Sequence, residues 1–172
     1  MQLREVFLPE LDAEAANTRR ILELVPENQF SYQPHQKSMT LGRLASHVAE
    51  LPTWVKNTID RDGLDLQPGT QPYLAASRAE LLETFDKAVA EARQSIAGAS
   101  DENLTGTWTF SYAGKPMFSN PRYVILRNFV LSHLIHHRAQ LGVYLRLNDV
   151  EFPGMYGPSA DEMKFWNPAQ SA

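Results

Sequence analysis

A chain of 172 residues can bury a core of its own, and 43% hydrophobic with 21% charged residues is the balance of a folded globular protein, which excludes disorder. The absence of cysteine removes disulfides, thiolate metal sites and a cysteine nucleophile. A formal charge of −4 without a basic stripe argues against nucleic-acid binding, and no apolar run approaches the roughly 20 residues of a membrane span.

The first ten residues, Met-Gln-Leu-Arg-Glu-Val-Phe-Leu-Pro-Glu, mix charge into what would have to be an apolar stretch, so no signal peptide is expected and the cytoplasm is the expected compartment. There is no internal repeat or low-complexity tract, and residues 1–172 read as one domain. Phe7, Leu11, Ala15, Leu22 and Val25 recur at helical spacing, which predicts a first helix from about Glu5 to Val25, with Pro9 able to shorten its start. Thr40 is a good N-cap for a second helix carrying Leu41, Leu44, His47, Val48 and Leu51. Pro52 kinks or divides that helix, and Arg61-Asp62-Gly63 closes it. A polar loop with Pro68-Gly69 and Pro72 follows. Ser77 and Glu80 then form a capping-box pattern for a third helix reaching about Ile96. Residues 107–118 alternate around Ala113-Gly114-Lys115 and predict a short hairpin. Asn120-Pro121 supplies a cap and first-turn proline for a fourth helix ending near Leu147. The tail carries Met155, Tyr156, Phe165 and Trp166, too much apolar surface to stay free.

Chemistry concentrates on the fourth helix, in Ser132-His133-Leu134-Ile135-His136-His137-Arg138. At about 100° per residue, positions four apart share a face, so His133 and His137 can chelate one ion. His136, three residues after His133, is the competitor. Leu126, Val130, Leu141 and Tyr144 share the sector of His133 and His137, which favours that pair and turns His136 toward an edge. Arg138 falls away from this sector, toward solvent or an interface. On the second helix His47 lies in the stripe of Leu44, Val48 and Leu51 and should point inward. An unpaired polar group there costs on the order of 1–3 kcal/mol, and a metal shared with His133 and His137 would satisfy it. Three imidazoles leave coordination positions open, as catalytic sites do. On residues alone the alternative stands beside this one: a hydrogen-bonded core histidine and an HxxxH pair that holds nothing. Glu50 reads as a solvated helix-surface residue with a hydrogen bond to a ligand histidine as the alternative, and Gln140 as a secondary candidate for the same service. His35 reads as a surface residue, and Trp54 and Trp108 as packing residues that could wall a pocket.

Together these residues resemble the DinB/YfiT-like family of metalloenzymes. The likeness runs through Phe30-Ser-Tyr-Gln-Pro34, Ser38, Leu44-Ala-Ser-His47-Val48, Asn120-Pro121, His133-Leu-Ile-His-His137-Arg-Ala-Gln140-Leu141 and the tail from Pro153-Gly-Met-Tyr-Gly-Pro158 to Asp161-Glu162. It implies an all-α, up-down-down-up four-helix bundle, usually a homodimer, with a divalent ion (zinc, nickel or iron) on His47, His133 and His137. Some relatives transfer or isomerise with low-molecular-weight thiols, and many have no known reaction. The resemblance therefore points to a metal-dependent transferase joining such a thiol to a small-molecule substrate. A metal-dependent hydrolase, or a non-catalytic metal or small-ligand binding module, is the alternative. Leu131, Ile135, Ala139 and Gly142 leave the fourth helix apolar on more than one face, so a second copy or the tail is expected to cover it.

Overall fold

The computed structural model describes residues 1–165, without the side chains of Lys164 and Phe165; Trp166 of the expected aromatic tail lies outside the described residues. Helix α1 runs Leu3–Leu22 and buries Phe7, Leu11, Ala15, Thr18, Ile21 and Leu22 along one stripe. The Glu5 carboxylate accepts from the Gln2 backbone N–H at 3.0 Å and fixes the start. Pro9 does not shorten the helix. It sits inside it, and the chain leaves helical geometry three residues before Val25. Helix α2, Leu41–Glu50, is capped by the Thr40 hydroxyl, which accepts from Arg43 N–H at 3.2 Å. Pro52 divides the expected second helix, and α3 resumes at Thr53–Asp60. Helix α4, Arg78–Gly98, has Ser77 at its cap, accepting from Glu80 N–H at 3.1 Å. The Glu80 carboxylate reaches past Ser77 to the Ala76 N–H at 2.8 Å, so the box is displaced by one residue.

A short helix α5, Asp101–Thr105, leads into the hairpin of β2, Thr107–Tyr112, and β3, Lys115–Pro121. Ala113 (φ 50°) and Gly114 (φ 76°) form its two-residue turn; positive φ at both central positions matches the twist of the strands. The expectation of an all-α fold is corrected here. The structure is mostly helical with a three-stranded sheet of order β1-β2-β3, because Gly63–Leu66, read from sequence as the start of a loop, forms β1 and pairs in parallel with Thr109–Tyr112. Four residues are too few for an alternation to register, and the pairing partner lies more than forty residues on. Asn120 is likewise not a cap: it lies in β3 opposite Trp108, and Pro121 is tolerated at the end of that strand.

The last helical stretch begins with α6, Arg122–Val124, passes through a π-helical segment, Ile125–Leu131, and continues as α7, Ser132–Leu147. The wider π turns break the register between the two halves. Leu126, Val130 and Leu131 join a core with Phe7, Leu11, Val55, Ile59 and Ile96, whereas Leu134, Leu141 and Leu145 belong to another with Leu44, Val48, Leu81 and Phe85. This corrects the reading of Arg138. It falls at the buried position between Leu134 and Leu141, 2% exposed, and its guanidinium pairs with Glu14 at 2.7 Å and donates to the Thr18 hydroxyl at 3.1 Å. A single apolar sector drawn through the π segment is displaced downstream of it: it keeps His133, His137 and Leu141 inward and leaves Arg138 outside.

Helix α1 packs on α4 and α7, α2 on α4 and α7, and α3 on α4 and the π segment. Trp108 is wholly buried where the hairpin meets the helices, its indole N–H directed at the Asn57 carbonyl at 3.3 Å. No helix among the described residues is long and apolar enough to cross a membrane.

Candidate metal centre

Two elements supply the site. On α2, the buried Leu44, Val48 and Leu51 face the core and carry His47 beside them into the seam with α7. On α7, the Leu134–Leu141–Leu145 stripe sits in that same core and sets His133 and His137, one turn apart, toward α2. All three histidines are half-buried, and one ligand nitrogen from each lies within 4.8 Å of the others. The ring centroids are 5.0 Å (His47–His133), 4.7 Å (His47–His137) and 4.6 Å (His133–His137) apart.

The hydrogen bonds around the cluster decide what the nitrogens can do. Glu50 accepts from His47 Nδ1 at 3.0 Å, and Gln140 Oε1 accepts from His137 Nδ1 at 2.7 Å. Each bond places the proton of a neutral ring on Nδ1 and leaves Nε2 with a free lone pair. His133 Nε2 lies 3.3 Å from His47 Nε2. Two nitrogens held about 2.0–2.1 Å from a tetrahedral ion sit about 3.3 Å apart, so the pair already has the spacing of shared ligands. His133 Nδ1 is buried and makes no hydrogen bond of ordinary geometry, having only a looser interaction with the Phe129 carbonyl. Burial, then the proximity of His137 and His47, pushes His133 down to about 4. Burial also lowers His137, against the opposing effect of Gln140. Both are therefore neutral at pH 7, the form that binds metal. The donor set fits a divalent ion: three imidazoles, two of them hydrogen-bonded through Nδ1 so that Nε2 is turned to the ion.

The reading of Glu50 as a solvated surface residue is corrected by its bond to His47, and Gln140 takes the supporting role considered for it. His136 is exposed, stacks edge-on against His137 at 4.9 Å, and lies outside the cluster. His35 is exposed in the loop before α2, its Nδ1 accepting from the Lys37 N–H at 3.1 Å.

The histidines lie between two cavities. One, of about 460 Å³, is lined by His47 and His133 together with Arg43, Glu50, Trp54 and Tyr112, and the loop 67–73 borders it. The other, of about 420 Å³, reaches His137 and Gln140 from the opposite side. Trp54 thus walls a pocket, as one reading of the sequence allowed. Sequence reasoning missed Arg43 and Tyr112. Arg43 was detectable, being one helical turn before His47 as Glu50 is one after. Tyr112 was not, since only the sheet carries it to the cavity. A third groove, about 400 Å³ and largely apolar, lies between α7 and the tail, away from the histidines.

Comparison with known proteins gives one consistent result. The profile of the DinB family matches residues 1–170. The uncharacterized protein YrdA of Bacillus subtilis (strain 168) is 26% identical over 169 residues, 94% of this chain and 92% of YrdA. A crystal structure of a DinB-like protein from Bacillus cereus superposes with a TM-score of 0.70 at 24% identity, covering 88% of this chain and 97% of that one. A DinB-like protein of Bacillus subtilis, YjoA, gives 0.65 at 18% identity over 86% and 95%. At these identities the two structures speak for the fold alone.

Proposed function

The chain belongs to the DinB family, and on that premise we propose that it is a metal-dependent transferase, with a divalent ion held by His47, His133 and His137 and a low-molecular-weight thiol joined to a small electrophile. On the same premise its helices form the up-down-down-up four-helix bundle, with α2 and α3 together as the second member. The observation that carries the reading is the convergence of three imidazoles, two of them locked by Glu50 and Gln140 with Nε2 free, beside a cavity large enough for a small molecule. When bound, a divalent ion on three imidazoles keeps a position open and lowers the pKa of a thiol or water brought there.

The chain's own residues favour the thiol over hydrolysis. An ion can ionise either a thiol or a water, but hydrolysis must also return a proton to the departing group, which calls for a carboxylate free to carry it. Glu50 is the one acid lining the larger cavity, and it is already bonded to His47 and 3.6 Å from the Arg43 guanidinium. Trp54 and the ring of Tyr112 give the substrate apolar walls. Metal analysis of the purified protein followed by spectroscopy of the cobalt-substituted form tests the proposal. Addition of 2-mercaptoethanol should produce a sulfur-to-cobalt charge-transfer band. A cobalt site that takes up water or azide but gives no such band would leave the hydrolase reading in its place.

A further inference from the structure

Arg43 is not used by the metal-site argument, yet it lines the same cavity. It lies on α2 with His47 and Glu50, at positions i, i+4 and i+7, so the three side chains follow one face of the helix. Its Nη1 is buried and donates no hydrogen bond among the described residues. The nearby Glu50 Oε1 is 3.6 Å away, beyond hydrogen-bond range, and accepts from His47 instead. A buried guanidinium nitrogen without an acceptor is costly, because its lost hydration is not replaced. The charge balance points the same way. Apart from its histidines, the lining of this cavity holds one cation, Arg43, and one anion, Glu50; a divalent ion on the triad adds two positive charges to that balance, in a protein whose net charge is −4.

We propose that Arg43 is the anchor for a carboxylate of the small molecule that enters this cavity, holding it in place while its reacting group reaches the histidine cluster. The proposal rests on the reading of the triad as a metal centre with an open position. It narrows that reading to anionic substrates or thiols. The planar fork of arginine fits a carboxylate with two parallel hydrogen bonds, and the Arg43 side chain, 24% exposed, borders the cavity from which such a group would arrive. A single guanidinium already beside Glu50 suits one carboxylate better than a doubly charged phosphate.

Calorimetric titration of the metal-loaded protein with succinate, its uncharged analogue succinamide and inorganic phosphate tests this. Succinate should bind roughly tenfold or more tightly than succinamide, the scale of one charge-assisted contact. Arg43→Gln should abolish that preference and Arg43→Lys should retain part of it, with metal content unchanged in both. Equal binding of succinate and succinamide would overturn the proposal. So would a preference that survives in Arg43→Gln, since the carboxylate would then be held by the metal alone. Tighter binding of phosphate than of succinate would move the site to phosphate esters and overturn the carboxylate. Should Arg43→Gln fail to fold, full retention of the preference by Arg43→Met would count against the anchor in the same way. Failure of the thiol reading is separable: it appears as a cobalt site silent to 2-mercaptoethanol, a neutral thiol that makes no use of Arg43, and leaves the succinate comparison standing.

Discussion

His133 and His137 share a helix face with nothing between them but one turn of backbone, and His47 meets them across the α2–α7 seam. If each supplies one bond to the ion, removing any one leaves two ligands. One equivalent of divalent metal per chain is therefore expected in the wild type and in His136→Ala, and its loss in His47→Ala, His133→Ala and His137→Ala. Metal analysis checks this, and equal loss in the His136 variant would show that the exposed ring, not its neighbour, is a ligand. The Glu50 and Gln140 bonds orient rings without touching the ion, so Glu50→Ala should weaken metal affinity by about 10–100-fold without abolishing it. The metal-free protein should also respond to acid. His133 has a folded-state pKa of about 4 against 6.5 in the unfolded chain, so below pH 6.5 the unfolded state takes up a proton that the folded state does not. That contribution to stability is complete above 6.5 and is lost progressively as pH falls toward 4. His133→Leu should flatten this part of the stability profile, measured by denaturant unfolding between those two pH values. An unchanged profile in the variant would move the acid sensitivity to another group.

At the scale of elements, the seam between α1 and α7 holds a buried ion pair. Arg138 and Glu14 are 2% and 9% exposed, and the Tyr156 hydroxyl closes the network by donating to Glu14 at 2.7 Å. Removing one member of such a pair leaves an uncompensated charge in the core. Arg138→Met is therefore expected to cost about 3–5 kcal/mol of stability, and Arg138→Met with Glu14→Gln less than that. Urea denaturation of the single and double variants decides it; equal losses would mean that Glu14 finds water in the single variant. The π segment explains why this pair is hard to see beforehand. It carries Leu126, Val130 and Leu131, which fill one core, directly ahead of Leu134–Leu145, which fill the other, and its wider turns set the two faces out of register.

For the whole molecule, the remaining apolar surface bears on assembly. Phe152 of the tail approaches Gly142 so closely that a Cβ there would lie 3.5 Å from its ring, so the tail covers part of α7. Ile135, Ala139, Val143 and Leu147 still line the groove beside it, with Val143 and Leu147 more than half exposed. A homodimer using this face is the expected state. Light scattering should give twice the chain mass for the wild type and a monomer for Ile135→Glu. A wild-type monomer would leave the tail as the only cover, and a dimer indifferent to the substitution would place the contact elsewhere.

Much of this was legible in the chain itself, because the signals were local. The Thr40 and Ser77 caps, the division at Pro52 and the Ala113-Gly114 turn each act within four residues, and the one-turn spacing of His133 and His137 is set by the helix that carries them. The juxtaposition of His47 with that pair was an inference from two inward faces, and the packing of α2 on α7 brings it about. Three features depended on tertiary structure alone. Strand β1 exists because Thr109–Tyr112 offers it an edge. Arg138 is buried because a π segment rotates α7 against the helix before it. Arg43 became a cavity residue because Tyr112 and the loop 67–73 come to lie beside α2, whereas the bonds of Glu50 to His47 and of Gln140 to His137 run three residues along single helices and were readable as candidates. Periodicity tells which residues share a face; only the neighbour that packs there decides whether the face meets water, a core or an ion.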